Sequence, residues 1–198
     1  MGTAFFAWYS LLHMQGKESS LEDLKVSIEG WQPTGTEADD EFFQTTALEL
    51  RSLKERSLRL REGRPEEEVQ RSLRYLEGRL RILEKGDVVY TARSSDRLLG
   101  FILARWDEAE QRTRFEQFYV DPADRSLGTG TKILTKALQY ARGRHTEISQ
   151  GAFLSTGKDN EGAQRLYERM GFHRSHLPGD ISDEFRYDFD FETEQKTV

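Results

Sequence analysis

Two hydrophobic periods alternate along the chain and divide it into helices and strands. Phe42, Phe43, Ala47, Leu50 and Leu53, and then Val69, Leu73, Leu76, Leu80 and Leu83, recur every three or four positions, the spacing of one helix face. Asp39-Asp40-Glu41 loads acid onto the start of the first helix, where the positive end of the helix dipole favours it. Pro65, followed by Glu66-Glu67-Glu68, opens the second, at a position where a proline needs no amide partner. Leu24, Val26 and Ile28 alternate in a first strand near 24–31, behind the capping-box pattern Ser19-Ser20-Leu21-Glu22. Val88 to Ala92, Leu98 to Trp106 and Arg114 to Val120 form a three-strand meander, with turns at Gly86-Asp87 and Ser94-Ser95-Asp96. Residues 147–156 read as a fifth strand, and Phe172 to Arg174 begins a sixth. After the loop Pro178-Gly179-Asp180, Phe185, Tyr187, Phe189 and Phe191 alternate through a seventh. Helices interleaved with a meander predict an α/β protein with a mixed sheet.

The chemistry concentrates where the fourth strand stops. Phe118, Tyr119 and Val120 are strong strand formers, whereas Asp121-Pro122 ends pairing because proline has no amide hydrogen to donate. Ile133, Leu134, Ala137, Leu138 and Ala141 follow helical spacing from about Thr131, so Arg125-Ser126-Leu127-Gly128-Thr129-Gly130 becomes the turn and the first helical residues. Such a turn collects unpaired amide hydrogens at the positive end of a helix, and its glycines let a ligand's oxygens come close: an anion site, here suited to phosphate. Two familiar phosphate loops are excluded. Ile133 stands where the dinucleotide fingerprint needs its third glycine, and Gly130-Thr131-Lys132-Ile133 lacks the Gly-Lys-Ser/Thr run of the Walker loop.

A second segment lies downstream. Asn160, Ala163, Leu166, Tyr167 and Met170 mark a short amphipathic helix, with Gly171 as its left-handed stop and Phe172 opening a strand. Arg125-x-x-Gly128-x-Gly130, followed by Asn160-x-x-Ala163-x-x-Leu166-Tyr167-x-x-x-Gly171-Phe172, resembles the two signature segments of the GNAT family of acyl-CoA-dependent N-acetyltransferases. Order and separation agree, over roughly residues 85–175.

The resemblance implies the GNAT acyl-CoA N-acyltransferase fold: seven mostly antiparallel strands splayed between strands four and five, with helices on both faces. It implies one domain over 19–193, whose helices around 37–84 form a variable lid, after an N-terminal helical extension over 1–18 and before a disordered tail at 194–198. It also implies transfer of an acetyl group from acetyl-CoA to a primary amine of a small molecule or protein by direct attack. The amides from Arg125 to Gly130 would hold the pyrophosphate, with Thr131 completing the loop. Phe118-Tyr119-Val120 would form the cofactor-facing strand end, the backbone of Phe118 and Val120 pairing with the pantetheine arm. An amide exposed at the split would polarise the thioester oxygen, and Asn160 would hydrogen-bond the pantetheine.

Tyr167 is the candidate for the leaving thiolate. A phenol of pKa about 10 donates outright to a thiolate of pKa about 8.5 only at a cost of roughly 2 kcal/mol, so its expected role is a hydrogen bond. Glu116, read as sharing a strand face with Phe118 and Val120, is the candidate base, directly or through water. A glutamate of pKa about 4.3 is poorly matched to an amine of pKa about 10, which favours the water relay. Some relatives carry an acid on strand five, where this chain has Ser155 and Thr156, so the base stays open. A cross-strand partner for an arginine is the competing role for Glu116. The alternative function is a catalytically silent acyl-CoA-binding module whose lid helices recruit a partner.

Composition adds exclusions. A net charge of −6 over 198 residues repels polyanions, so nucleic acid is not an expected partner. There are no cysteines, hence no disulfide, thiolate metal site or cysteine nucleophile, and His13, His145, His173 and His176 lack metal-ligand spacing. No metal is expected. Arg56 to Arg64 and Arg71 to Arg81 interleave with glutamates as solvated helix faces. The apolar run Phe5, Phe6, Trp8, Tyr9, Leu11, Leu12 and Met14 is too short to span a bilayer and has no basic leader. Phe6 also stands where a myristoylation signal needs Ser or Thr. A helix packed on the domain, or on a second copy in a homodimer, and a cytoplasmic location are the expectations. Asp39-Asp40-Glu41 and Asp180, Asp183 and Glu184 either flank the acceptor groove and favour a cationic amine, or serve only to cap a helix and to solubilise a loop.

Overall fold

The computed structural model describes residues 26–34, 37–60, 64–84, 86–95, 97–143, 150–175 and 184–191. In chain order they form β1 (Val26–Trp31), α1 (Glu37–Arg59), α2 (Glu66–Arg81), β2 (Val88–Ser94), β3 (Arg97–Asp107), β4 (Arg112–Val120), a 3-10 turn (Pro122–Asp124), α3 (Thr129–Gly143), β5 (Gly151–Gly157), α4 (Glu161–Arg169), β6 (His173–Ser175) and β7 (Glu184–Asp190). The seven strands make one sheet in the order β1-β2-β3-β4-β5-β7-β6. Among the described residues, β4 with β5 is the sole parallel pair.

The expected elements are present with adjusted ends. Pro65 caps α2 rather than joining it, its carbonyl accepting from the amides of Glu68 and Val69 at 3.0 and 3.2 Å. α3 starts two residues before Thr131, and β5 starts at Gly151 rather than 147. The 1–18 extension, the Ser19-Ser20-Leu21-Glu22 cap, the Pro178-Gly179-Asp180 loop and the 194–198 tail lie outside the described residues.

Helices cover both faces. No glycine or proline interrupts α1, and its Leu50 and Leu53 meet Leu76 and Leu80 of α2 over Val89, Leu98, Phe101 and Leu103 of the sheet. Each of those leucines is fully buried or nearly so, which stabilises the layer by roughly 1.5–3 kcal/mol apiece. On the opposite face Ile133, Leu134, Ala137, Leu138 and Ala141 of α3 and Tyr167 of α4 close over Val88, Ile102, Phe115, Leu154 and Tyr187. That is the stripe the periodicity predicts.

β4 carries one extra residue. Leu103 pairs with Glu116 but Phe101 pairs with Tyr119, so three steps of β4 oppose two of β3. Gln117 absorbs the difference at φ +51, in the left-handed region that non-glycine residues rarely adopt. The bulge overturns one expectation. Phe118 and Val120 pack with α3 and α4, whereas Glu116 meets Arg79 of α2 on the opposite face. Strict alternation would have kept Glu116 with Phe118.

One charge is buried between α1, α2 and β4. Lys54 is 1% exposed, and its Nζ donates to the Ser72 carbonyl and to Gln117 Oε1, both at 2.6 Å, 5.2 Å from the centre of the Tyr119 ring. The charged groups on the surrounding elements are engaged with one another: Arg51 with Glu77, Glu55 with Arg59, and Arg79 with Glu116. Burial lowers the Lys54 ammonium from 10.5 to about 7. Between those two values the unfolded chain binds more protons than the folded one, so Lys54 makes stability rise with pH from about 7 to about 10.5. Thermal melts across that range should therefore show a rise in wild type that Lys54→Met lacks. Parallel curves for the two proteins would show that Lys54 is solvated.

Candidate active site

β4 and β5 part company halfway along. They pair at Thr113 with Ala152, Arg114 with Phe153 and Phe115 with Leu154, and no further. β4 stays with β3 through Tyr119 and Val120, and the Asp121 amide donates to the Leu99 carbonyl at 2.7 Å. Antiparallel alternation then assigns the groups of Tyr119 to β3 and turns those of Phe118 and Val120 toward the side that β5 has left. The expected splay between strands four and five is present. It leaves a strand edge whose backbone groups require partners.

The loop after β4 is shaped by short-range bonds. Asp121 Oδ1 accepts from the Ala123 amide at 3.1 Å and starts the 3-10 turn, after which Ser126 and Gly128 both take left-handed φ values, +67° and +83°. The Lys132 amide is the first to bond back into α3, to the Gly128 carbonyl at 3.0 Å. Thr129, Gly130 and Thr131 thus occupy the turn whose amides have no intrahelical acceptor, at the positive end of α3. Leu127 is half-buried beside the exposed Arg125 and Ser126. Gly128 answers to backbone conformation. Gly130 is also closely packed: a Cβ there would lie 3.2 Å from Leu166 Cδ2 and 3.5 Å from Val120 Cγ2. Two cations flank the loop: Arg125 Nη2 donates to Ser57 Oγ of α1 at 2.7 Å, and Arg169 Nη2 of α4 approaches Thr131 Oγ1 at 3.4 Å.

Tyr167 lies under the split. Its ring is 6.4 Å from Phe118 of β4, 5.5 Å from Tyr187 of β7 and 6.1 Å from Phe172. It is 5% exposed. Burial, and then the neighbouring Tyr119 and Tyr187, push its phenol well above the ordinary range, so the hydroxyl keeps its proton. Asn160 heads α4: its carbonyl accepts from the amides of Ala163 and Gln164, its Nδ2 donates to Thr156 Oγ1 at 3.0 Å, and its side chain makes no cap bond.

Glu116 is 7% exposed and held by two arginines. Arg79 Nε and Nη2 reach its two oxygens at 2.8 and 3.0 Å, and Arg114 Nε lies 3.2 Å from Oε1. These contacts take three of the carboxylate's roughly four acceptor sites and leave Oε2 with a single partner. On β5, Ser155 is exposed and Thr156 buried beneath Asn160. His173 Nε2 sits 3.6 Å from Asp190 Oδ2 at the far end of the sheet. His13, His145 and His176 lie outside the described residues, as do Asp180, Asp183 and the side chains of Asp39, Asp40 and Glu41. Among the described residues no acidic, histidine or cysteine cluster suits a metal, and no helix is long and apolar enough to cross a membrane. Sequence reasoning passes over Lys54, Gln117 and Arg114, and its reading of Arg71 to Arg81 as a solvated face fails at Arg79, which turns inward to the buried Glu116. For Lys54 there is a signal, a lysine set one turn after Leu50 on the buried stripe of α1.

With this geometry in hand, the comparisons with known proteins agree. An uncharacterized N-acetyltransferase of Methanocaldococcus jannaschii is 33% identical over 70 residues, which is 35% of this chain and only 30% of that protein's length. A Pyrococcus horikoshii OT3 protein of known structure superposes with a TM-score of 0.62 at 20% identity, over 85% of this chain and 100% of that one. The PaiA N-acetyltransferase of Thermoplasma acidophilum, solved in complex with coenzyme A, also gives 0.62, at 15% identity over 83% and 99% of the two chains. At such identities the likeness is one of fold. Residues 48–172, well over half of the sequence, match the Acetyltransferase (GNAT) family, and the chain belongs to it.

Proposed function

We propose that the chain is an acetyl-CoA-dependent N-acetyltransferase that moves an acetyl group to a primary amine by direct attack. The observation that carries this is the split between β4 and β5, where the edge of Phe118 and Val120 lies beside the buried side chain of Tyr167. Pantetheine amides would complete that edge as an added strand, Asn160 would steady them, and the amides at the start of α3 would hold the pyrophosphate. The solved complex of the fold neighbour with coenzyme A supports the same choice of co-substrate.

The amine nitrogen attacks the thioester carbon, the carbon–sulfur bond breaks, and the sulfur leaves carrying charge. A Phe118 amide turned into the split would polarise the carbonyl oxygen in that step. The phenol of Tyr167 is too weak an acid to surrender its proton, so it serves as a hydrogen-bond donor to the sulfur. The ammonium loses one proton before attack, which frees the lone pair, and the nitrogen loses a second as the amide forms, one of the two ending on the thiolate sulfur. Glu116 is the proposed acceptor for the other through water, in competition with a bracing role between α2 and β4 that the two arginines favour.

Thiol release from acetyl-CoA across a panel of amines, cationic ones included, tests the activity. Amine-dependent release supports it, and binding of acetyl-CoA without release in any pairing favours the silent binding module. Tyr167→Phe should lower turnover by about ten- to a thousandfold while acetyl-CoA affinity holds, because the hydrogen bond matters once sulfur carries charge. Unchanged turnover would make Tyr167 a packing residue. Glu116→Gln separates base from brace: loss of a base depresses the rate most at low pH. Loss of a brace costs roughly 3 kcal/mol in a denaturant melt and leaves the pH–rate profile its shape.

A further inference from the structure

A single turn of α1 reaches the end of β4 at three successive points. Lys54 Nζ donates to Gln117 Oε1 at 2.6 Å, Arg56 Nη2 lies 3.1 Å from Asp121 Oδ2, and Ser57 Oγ accepts from Arg125 Nη2 at 2.7 Å. The outer two contacts brace the loop, and the first one grips the bulge. Two unfavourable features meet in that contact. Gln117 holds a left-handed φ of +51°, which a side chain resists, and Lys54 is a buried amine with no carboxylate partner among the described residues. Among the described residues, the side-chain hydrogen bond of Gln117 comes from Lys54 of α1. That support comes from the lid.

We propose that Lys54 is a positioning residue of the acetyl-transfer site: its hydrogen bond to Gln117 holds the β4 bulge in the form that turns the Phe118 backbone into the split. Lys54 has this role only if the split takes acetyl-CoA, as set out above. The bond fixes the Gln117 side chain on the α1 face, beside Glu116, and so forces the change of face that follows. Removing the extra residue's support allows β4 to revert toward strict alternation, which exchanges the residues whose backbone faces the split. Lys54 does not touch the reacting atoms.

Glycine takes φ near +50° without strain, so Gln117→Gly keeps the bulge while dispensing with the grip. A cycle of Lys54→Met, Gln117→Gly and the double variant tests the link, read by calorimetric acetyl-CoA affinity and by kcat and KM for thiol release. Lys54→Met alone should weaken affinity and kcat by about tenfold with the amine's KM little changed. In the Gln117→Gly background the same change should cost less than about twofold. Equal losses in both backgrounds, or no loss in either, overturn the role. Should Lys54→Met fail to fold, Gln117→Leu removes the acceptor and should reproduce the tenfold loss; wild-type behaviour there overturns the role as well. Wild-type protein that binds acetyl-CoA but releases no thiol defeats the activity alone, since the cycle is then decided on affinity. Wild-type protein that does not bind acetyl-CoA defeats both.

Discussion

A strand in the middle of a sheet has two edges, and β4 uses both only as far as Phe115. Beyond it the extra residue at Gln117 keeps β4 in register with β3 while β5 departs, so one edge of Phe118 and Val120 is left over. Backbone groups in a protein's interior are expensive to leave unpaired, because water is replaced by nothing. At the split Phe118 and Val120 are half-buried, and the Arg125 Nε approaches the Val120 carbonyl at 3.4 Å, so an extended partner with its own amides and carbonyls is what the proposed function places there. The rest of the site is arranged around that edge: a tyrosine beneath it, an asparagine beside it, and a helix start at its end.

The charges are distributed to match. At the end of β4 the left-handed turns at Ser126 and Gly128 deliver the first amides of α3 to one spot, with Arg125 and Arg169 on either side. Under the split the environment is aromatic, with Phe118, Phe172 and Tyr187 around Tyr167, and burial keeps its phenol protonated. An anion is thus favoured at one end and a neutral hydrogen-bond donor at the other. The opposite face of the sheet holds Glu116 in its arginine clamp and Lys54 against the bulge, so the ion pairs there act on the shape of β4.

Much of this architecture is legible in the sequence because it rests on local rules. The stripes of α1, α2 and α3, the stop at Asp121-Pro122 and the glycine at Gly171 are short-range features, and the structure keeps them. What escapes is non-local. Glu116-Gln117-Phe118 reads as an ordinary strand, since a bulge is decided by pairing with β3, and the face of Glu116 is misassigned as a result. One partner of Glu116, Arg79, lies 37 residues away on α2, which no periodicity announces. Gly130 matches a motif, but the close packing of Leu166 of α4 against it is visible only in the folded chain.

Amide hydrogen exchange, followed residue by residue with and without saturating coenzyme A, tests the added-strand account most directly. Phe118 and Val120 should exchange about tenfold or more slowly with coenzyme A bound, while Tyr119, already assigned to β3, changes little. Equal exchange at Phe118 and Val120 in the free and bound protein would contradict it.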